Sequence, residues 1–117
     1  MRPVWNKRAL GAAGLLAALV AAPALADVKA GVDAWSRGDY AGAVREWEAP
    51  AAEGDPDAMF NLGQAYRLGR GVVMDLSRAE ALYARAAAAG HLQAADTYGL
   101  MLFQDGRREV ALPYLQD

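Results

Sequence analysis

Apolar residues recur along the middle of the chain at the spacing of an amphipathic helix. Over residues 58–68 they lie three or four positions apart, which places them on one helical face. That face consists of Met59, Leu62, Ala65 and Tyr66. Gly69 follows directly and is typical of a residue that ends a helix. The pattern therefore predicts a helix from Ala58 to Leu68.

A second helix is predicted after a short glycine-containing loop. Either Asp75 or Ser77 can begin it, because both residue types accept a hydrogen bond from the first free backbone N–H groups. We expect it to extend through Ala89 and to end at Gly90, a residue suited to a left-handed cap. Its apolar face consists of Ala79, Leu82, Tyr83 and Ala86.

These two helices belong to a repeated pattern. The same residue, or in one case another aromatic residue, recurs 36 positions apart in five places: Ala43 and Ala79, Trp47 and Tyr83, Gly54 and Gly90, Ala58 and Ala94, Gly63 and Gly99. A constant offset carried by matching residues is the mark of a repeat, here a pair of helices. Because Gly63 and Ala79 are small, we expect them where the two helices of a pair cross.

The repeated units differ in the loop between their helices. Each unit is counted from one glycine, namely Gly31, Gly63 or Gly99. The middle unit carries four extra residues within Gly69–Asp75, and insertions in repeat proteins fall in loops. Pro50 and Pro113 lie inside the predicted second helices of the outer units. Each is expected to kink or shorten its helix.

The first 26 residues have the pattern of a secretory signal peptide. A basic start is followed by an uncharged run of 14 residues, Ala9–Ala22, and by the small-residue triplet Ala24–Ala26. We expect cleavage between Ala26 and Asp27, leaving residues 27–117 as the mature, exported chain. The alternative is an uncleaved membrane anchor, although the run is shorter than the ~20 residues that span a bilayer. No later segment of the sequence is long enough to cross a membrane.

Composition narrows the class of protein. The chain has 117 residues, a hydrophobic fraction of 55% that owes its excess to 28 alanines, and no cysteine. Alanine favours close-packed helices, so the composition predicts an all-α protein. The absence of cysteine excludes disulfides, thiolate catalysis and cysteine-ligated metals. Removing the three basic residues of the signal peptide changes the formal net charge from -2 to -5, so nucleic acid is not an expected partner.

The middle unit resembles a known family. Its matching positions are Ala58, Leu62, Gly63, Tyr66, Gly69, Gly71, Val72, Asp75, Ala79, Tyr83, Ala86, Ala87 and Gly90. Together they resemble the Sel-one-like repeat, a relative of the tetratricopeptide repeat. The resemblance implies a right-handed α-solenoid of about two and a half helix pairs over 27–117, whose concave face binds peptides or partner proteins. It implies no particular reaction.

The third unit ends halfway through its predicted second helix. Terminal repeats normally present a polar surface, whereas this one is expected to expose Leu112 and Leu115. We therefore expect a truncated third unit, in a fragment or a shortened relative of a longer array.

The sequence offers little for catalysis. His91 is the only histidine and is expected to be solvent-exposed, so neither a metal site nor a serine triad is predicted. Glu46 and Glu48 cannot share a helix face at a spacing of two. We therefore predict a non-enzymatic protein that needs no cofactor. The alternative is a small exported hydrolase acting on cell-wall or β-lactam substrates.

A partner-binding groove is the remaining prediction. Four residues after each unit's glycine lies Trp35, Arg67 or Phe103, and the family resemblance turns this position into the concave face. Gln64 and Asn61 are expected close to Arg67. These side chains could hold an extended peptide, with the guanidinium binding a carboxylate. The alternative is that Trp35 and Phe103 only pack between helices. The predicted function is a protein-binding or peptide-binding scaffold that is periplasmic or secreted.

Overall fold

The computed structural model describes residues 27–115. The predicted signal peptide at 1–26 and its cleavage after Ala26 lie outside the described residues, apart from Asp27. Within 27–115 the chain is helical and contains no strand. The helices are α1 (Val28–Ser36), α2 (Tyr40–Ala52), α3 (Pro56–Leu68), α4 (Leu76–Ala88), α5 (Leu92–Gln104) and α6 (Arg108–Ala111). None of them is both long enough and apolar enough to cross a membrane.

Short polar side chains determine where the helices begin. Each of the first five helices has an N-cap side chain that accepts a hydrogen bond from a backbone N–H of its own first turn: Asp27, Asp39, Asp55, Asp75 and His91. Asp75, rather than Ser77, is therefore the N-cap of α4. Because Asp55 caps α3 and Pro56 tolerates the first helical position, α3 begins two residues before the predicted Ala58.

Glycines end the helices as predicted. Gly69 adopts a left-handed conformation with φ 68° at the end of α3. After α4, Gly90 has φ 93°, its N–H donates to the Ala87 carbonyl, and the N–H of His91 donates to the Ala86 carbonyl. These two bonds form a Schellman motif, which places the end of α4 one residue before the predicted Ala89.

Consecutive helices make the principal packing contacts, from α1 against α2 to α5 against α6. In each unit the glycine used for counting lies against a bulky side chain: Gly31 against Trp47, Gly63 against Tyr83, and Gly99 against Leu115. The predicted close approach at Gly63 is thus confirmed, and Ala79 is fully buried. The same contact therefore recurs in all three units.

The sequence made expectations for two prolines and two leucines, and those for Pro113 and Leu115 are wrong. Pro50 lies inside α2, which continues for only two more residues. Pro113, however, follows α6, which ends at Ala111, so it interrupts no helix. Leu112 is 64% exposed, as predicted. Leu115 is instead half-buried, because it packs on the bare backbone of Gly99.

Candidate functional site

Two clefts lie on either side of α3, and four of the five predicted groove residues line them. Trp35, Asn61 and Gln64 line the first cleft, and Arg67 lines the second. Phe103 is 40% exposed and lines neither cleft. The predicted residues therefore do not form a single row along the repeats. They meet instead around one helix of the middle unit.

The first cleft, here called the aromatic cleft, has a volume of about 240 Å³. Its walls come from α1, α2, α3 and the loop after α3. The lining residues are Val32, Trp35, Trp47, Phe60, Asn61, Gln64, Leu68 and Arg70. Five of these eight side chains are aliphatic or aromatic, and the other three are two amides and one guanidinium. Such a mixture is typical of sites that bind an apolar group and fix its orientation with a few hydrogen bonds.

Trp35 both packs between helices and lines the aromatic cleft. Its ring centroid lies 4.7 Å from that of Tyr40, at an interplanar angle of 67°, and 5.6 Å from that of Trp47. These contacts fix the indole, yet the residue remains half-exposed. The two alternatives raised by the sequence are therefore compatible, because Trp35 packs against Tyr40 and Trp47 and still lines the aromatic cleft.

Arg70 is a cleft residue that sequence reasoning missed. Its guanidinium carbon lies 5.2 Å from the ring centroid of Tyr40 and 6.0 Å from that of Trp35, within cation–π range. Gly71 makes this possible because it has φ 77°, and a Cβ there would lie 2.5 Å from the carbonyl oxygen of Tyr40. The inserted loop thus packs directly on the start of α2. The four-residue insertion was visible in the sequence, but its contact with the preceding unit was not.

Gln64 is held by a buried tyrosine. The hydroxyl of Tyr83 donates to Oε1 of Gln64 at 2.5 Å, and Tyr83 is fully buried. Burial raises the pKa of Tyr83 to about 12, against a smaller opposing effect of Arg67. The phenol therefore stays protonated and remains a donor at neutral pH. Sequence reasoning placed Gln64 in the groove and Tyr83 in the core, but it did not connect them.

The second cleft, here called the polar cleft, has a volume of about 380 Å³. It lies between α3, α4 and α5, and its lining residues are Arg67, Leu76, Ser77, Glu80, Met101, Gln104, Asp105 and Arg107. Arg107 is paired with both Glu80 and Asp105. The hydrogen bond to Glu80, followed by the one to Asp105, raises the pKa of Arg107 above its usual value. The two acids of this cleft are therefore engaged by one arginine.

Arg67 has no such partner. It is half-buried, and its guanidinium forms no ion pair or hydrogen bond with any side chain of residues 27–115. A partly buried cation loses hydration without compensation from a carboxylate. An anion in the polar cleft would supply that compensation.

His91 is not solvent-exposed, contrary to expectation. Its side chain is only 15% exposed and its Nε2 lies 3.2 Å from Oδ1 of Asp57. The ring stacks on Phe60 with centroids 4.7 Å apart, and Nδ1 accepts the N–H of Ala94 at 3.0 Å. Because Nδ1 caps α5 and the ring stacks on Phe60, His91 has a structural role. Residues 27–115 hold no cluster of acidic and histidine side chains suited to a metal ion.

Comparison with known proteins adds no family. The chain matches neither the profile of a protein family nor a curated protein sequence.

Proposed function

We propose that the chain is an exported α-solenoid of Sel-one-like repeats that binds a protein or peptide partner across α3. The observation that carries the proposal is the pair of clefts flanking this helix. One cleft presents a half-exposed indole, and the other presents an unpaired guanidinium. Arginine and tryptophan are the side chains that most often dominate protein interfaces.

Several features support the repeat architecture. Consecutive helices pack on each other, and the contact between a glycine and a bulky side chain recurs in all three units. The residues that match the Sel-one-like pattern also have structural roles. Gly71 allows the loop to approach α2, and Asp75 caps α4. We infer a right-handed superhelix whose first helices, α1, α3 and α5, line the concave face.

The expected binding mode is recognition without chemistry. An extended segment would place an apolar side chain beside Trp35, would form hydrogen bonds to Asn61 and Gln64, and would pair an acidic group with Arg67. Charge-assisted hydrogen bonds of this kind are about twice as strong as neutral ones. We place the protein in the periplasm or in the secreted fraction.

Affinity capture from the native host tests the proposal. The bait is the chain with Trp35→Ala and Arg67→Ala, compared with the unsubstituted chain by crosslinking and mass spectrometry. Leu92→Ala with Arg85→Ala is the control, because it also removes an exposed apolar side chain and an exposed guanidinium, and neither residue lines a cleft. We expect loss of the partner only in the first variant. Undiminished capture would reject the groove.

Two further measurements accompany this test. Fractionation with sequencing of the mature N-terminus should find the chain outside the cytoplasm and beginning at Asp27. Purified protein is also assayed against peptidoglycan and β-lactams, since turnover that survives purification would favour the alternative of an exported hydrolase.

A further inference from the structure

The orientation of the Gln64 side-chain amide limits which ligands the two clefts can bind. This inference rests on the proposed function. Oε1 of Gln64 is already occupied by the hydroxyl of Tyr83. Its amide nitrogen forms no hydrogen bond with any residue of 27–115, and it is not among the buried unsatisfied atoms. Gln64 therefore presents its N–H groups, and not its oxygen, to the aromatic cleft. A free glutamine offers both a donor and an acceptor, whereas this one offers only donors.

Tyr83 keeps the amide in this orientation. A phenol has one proton to donate, and here it is directed at Gln64. The ring cannot readily move, because it is fully buried and packed against Gly63 and Phe60. Reversing the amide would make the phenol oxygen an acceptor and would leave the buried phenol proton without an acceptor, because Gln64 is its only hydrogen-bond partner among residues 27–115. The buried Tyr83 therefore makes Gln64 prefer a ligand group that accepts a hydrogen bond.

Arg67 adds a second donor close by. It lies three residues after Gln64, a spacing that brings helical side chains within about 5–6 Å of each other. Its charge is close enough to Tyr83 to oppose the rise in that residue's pKa. The carboxylates of the polar cleft, Glu80 and Asp105, are paired with Arg107. The positive charge of Arg67 is therefore not neutralised by the acids of its own cleft.

We propose that Gln64 and Arg67 form a carboxylate-binding site on the turn of α3 that lies between the two clefts. The ligand is a peptide whose carboxylate is adjacent to a bulky apolar side chain, which the aromatic cleft receives beside Trp35. The cleft volume of about 240 Å³ is small for a drug-sized ligand and suits one such side chain. Tyr83 is a positioning residue, because it touches Gln64 and not the ligand.

Small peptide probes test this site directly. N-acetyl-leucine carries a free carboxylate, and N-acetyl-leucinamide is its neutral counterpart. Binding to protein purified from the periplasm is followed by NMR, through the side-chain resonances of Gln64 and Arg67. We expect the acid to bind at least about tenfold more tightly than the amide, the ratio expected of one hydrogen bond to a charged group. Equal affinities, or no shift at these resonances at millimolar concentration, would overturn the proposal.

Variants separate positioning from general packing. Arg67→Gln should remove the preference for the acid, whereas Arg85→Gln, at an exposed arginine of α4, should retain it. Gln64→Glu should disfavour the acid through charge repulsion. Tyr83→Phe keeps the ring but frees the amide to rotate, so it should weaken binding of the acid and leave binding of the amide unchanged. A purely structural role of Tyr83 would weaken both probes equally and would contradict the positioning role.

A third probe identifies the source of the carboxylate. N-acetyl-leucyl-glutamic acid α-amide offers only a side-chain carboxylate, so tighter binding of this probe would indicate an internal acidic residue. Tighter binding of N-acetyl-leucine would indicate a chain terminus. The outcome is also separable from that of the capture experiment. If partner capture depends on Trp35 and Arg67 but acid and amide bind equally, the scaffold function stands and the carboxylate site is rejected.

Discussion

Replacing Gly63 tests the packing on which the fold of the middle unit depends. A Cβ at this position would lie 2.8 Å from Cε1 of Tyr83 and 3.0 Å from its Cδ1. These separations are shorter than van der Waals contact, so either the ring or a helix must move. The ring is fully buried and its hydroxyl is hydrogen-bonded to Gln64. Movement of the ring would therefore disturb the aromatic cleft as well as the core.

Two opposing terms set the magnitude for Gly63→Ala. Alanine in a helix interior is more favourable than glycine by about 1 kcal/mol. Overpacking a well-filled core costs about 1–3 kcal/mol. We therefore expect a net loss of about 1 kcal/mol in the free energy of unfolding, which lowers Tm by about 4–8 °C for a domain of this size. Gly63→Leu inserts a larger group and should lose about 3 kcal/mol or more by the same reasoning.

Urea denaturation measures both substitutions against a control for helix propensity. Ala81 is exposed in the middle of α4, so Ala81→Gly reports the propensity term without a packing term and should cost about 1 kcal/mol. The reasoning is refuted if Gly63→Ala stabilises the protein by the amount that Ala81→Gly removes. An unchanged midpoint for Gly63→Leu would likewise reject close packing of α3 on α4.

Two further predictions concern the contributions of Tyr83 and His91 to the free energy of unfolding. Because burial raises the pKa of Tyr83 from 10.0 to about 12, the folded state retains a proton that the unfolded state releases. The free energy of unfolding should therefore fall between about pH 10 and pH 12, by on the order of 2 kcal/mol. Urea denaturation across this range should show that Tyr83→Phe lacks this part of the decline, and identical pH profiles would contradict it. His91→Ala removes the N-cap of α5 and should cost about 1 kcal/mol in addition to the stacking on Phe60. His91→Asn keeps a capping acceptor and should be intermediate, so equal stabilities of the two variants would exclude a contribution from the cap.

Local signals in the sequence predicted most of α3 and α4. The apolar spacing over 58–68 predicted the body of α3, and Gly69 predicted its end. The sequence left Asp75 and Ser77 open as the start of α4. Both can cap a helix, and only the backbone geometry selected Asp75. Pro113 was expected inside a helix, but α6 ends at Ala111.

The candidate site was only partly accessible from sequence. Counting from the unit glycines found Trp35 and Arg67, because a repeat places equivalent residues on the same face. The count also selected Phe103, which lines neither cleft. It missed Arg70, because this residue lies in an insertion with no counterpart in the other units. His91 was expected to be exposed, since nothing in its neighbouring residues indicates the stacking on Phe60.

The sequence by itself determined the helical class and the glycines that end α3 and α4, because these depend on residues within a turn or two of each other. Of the five N-caps it singled out only Asp75, as one of two candidates. The tertiary structure alone decided which side chains share a cleft, that the half-buried Arg67 has no ion pair among residues 27–115, and which way Gln64 points. Those properties depend on residues that are distant in the chain, such as Gln64 and Tyr83, 19 positions apart, or Glu80 and Arg107, 27 apart. Residue spacing determines which side chains share a helical face, but only tertiary packing determines which residues that face contacts.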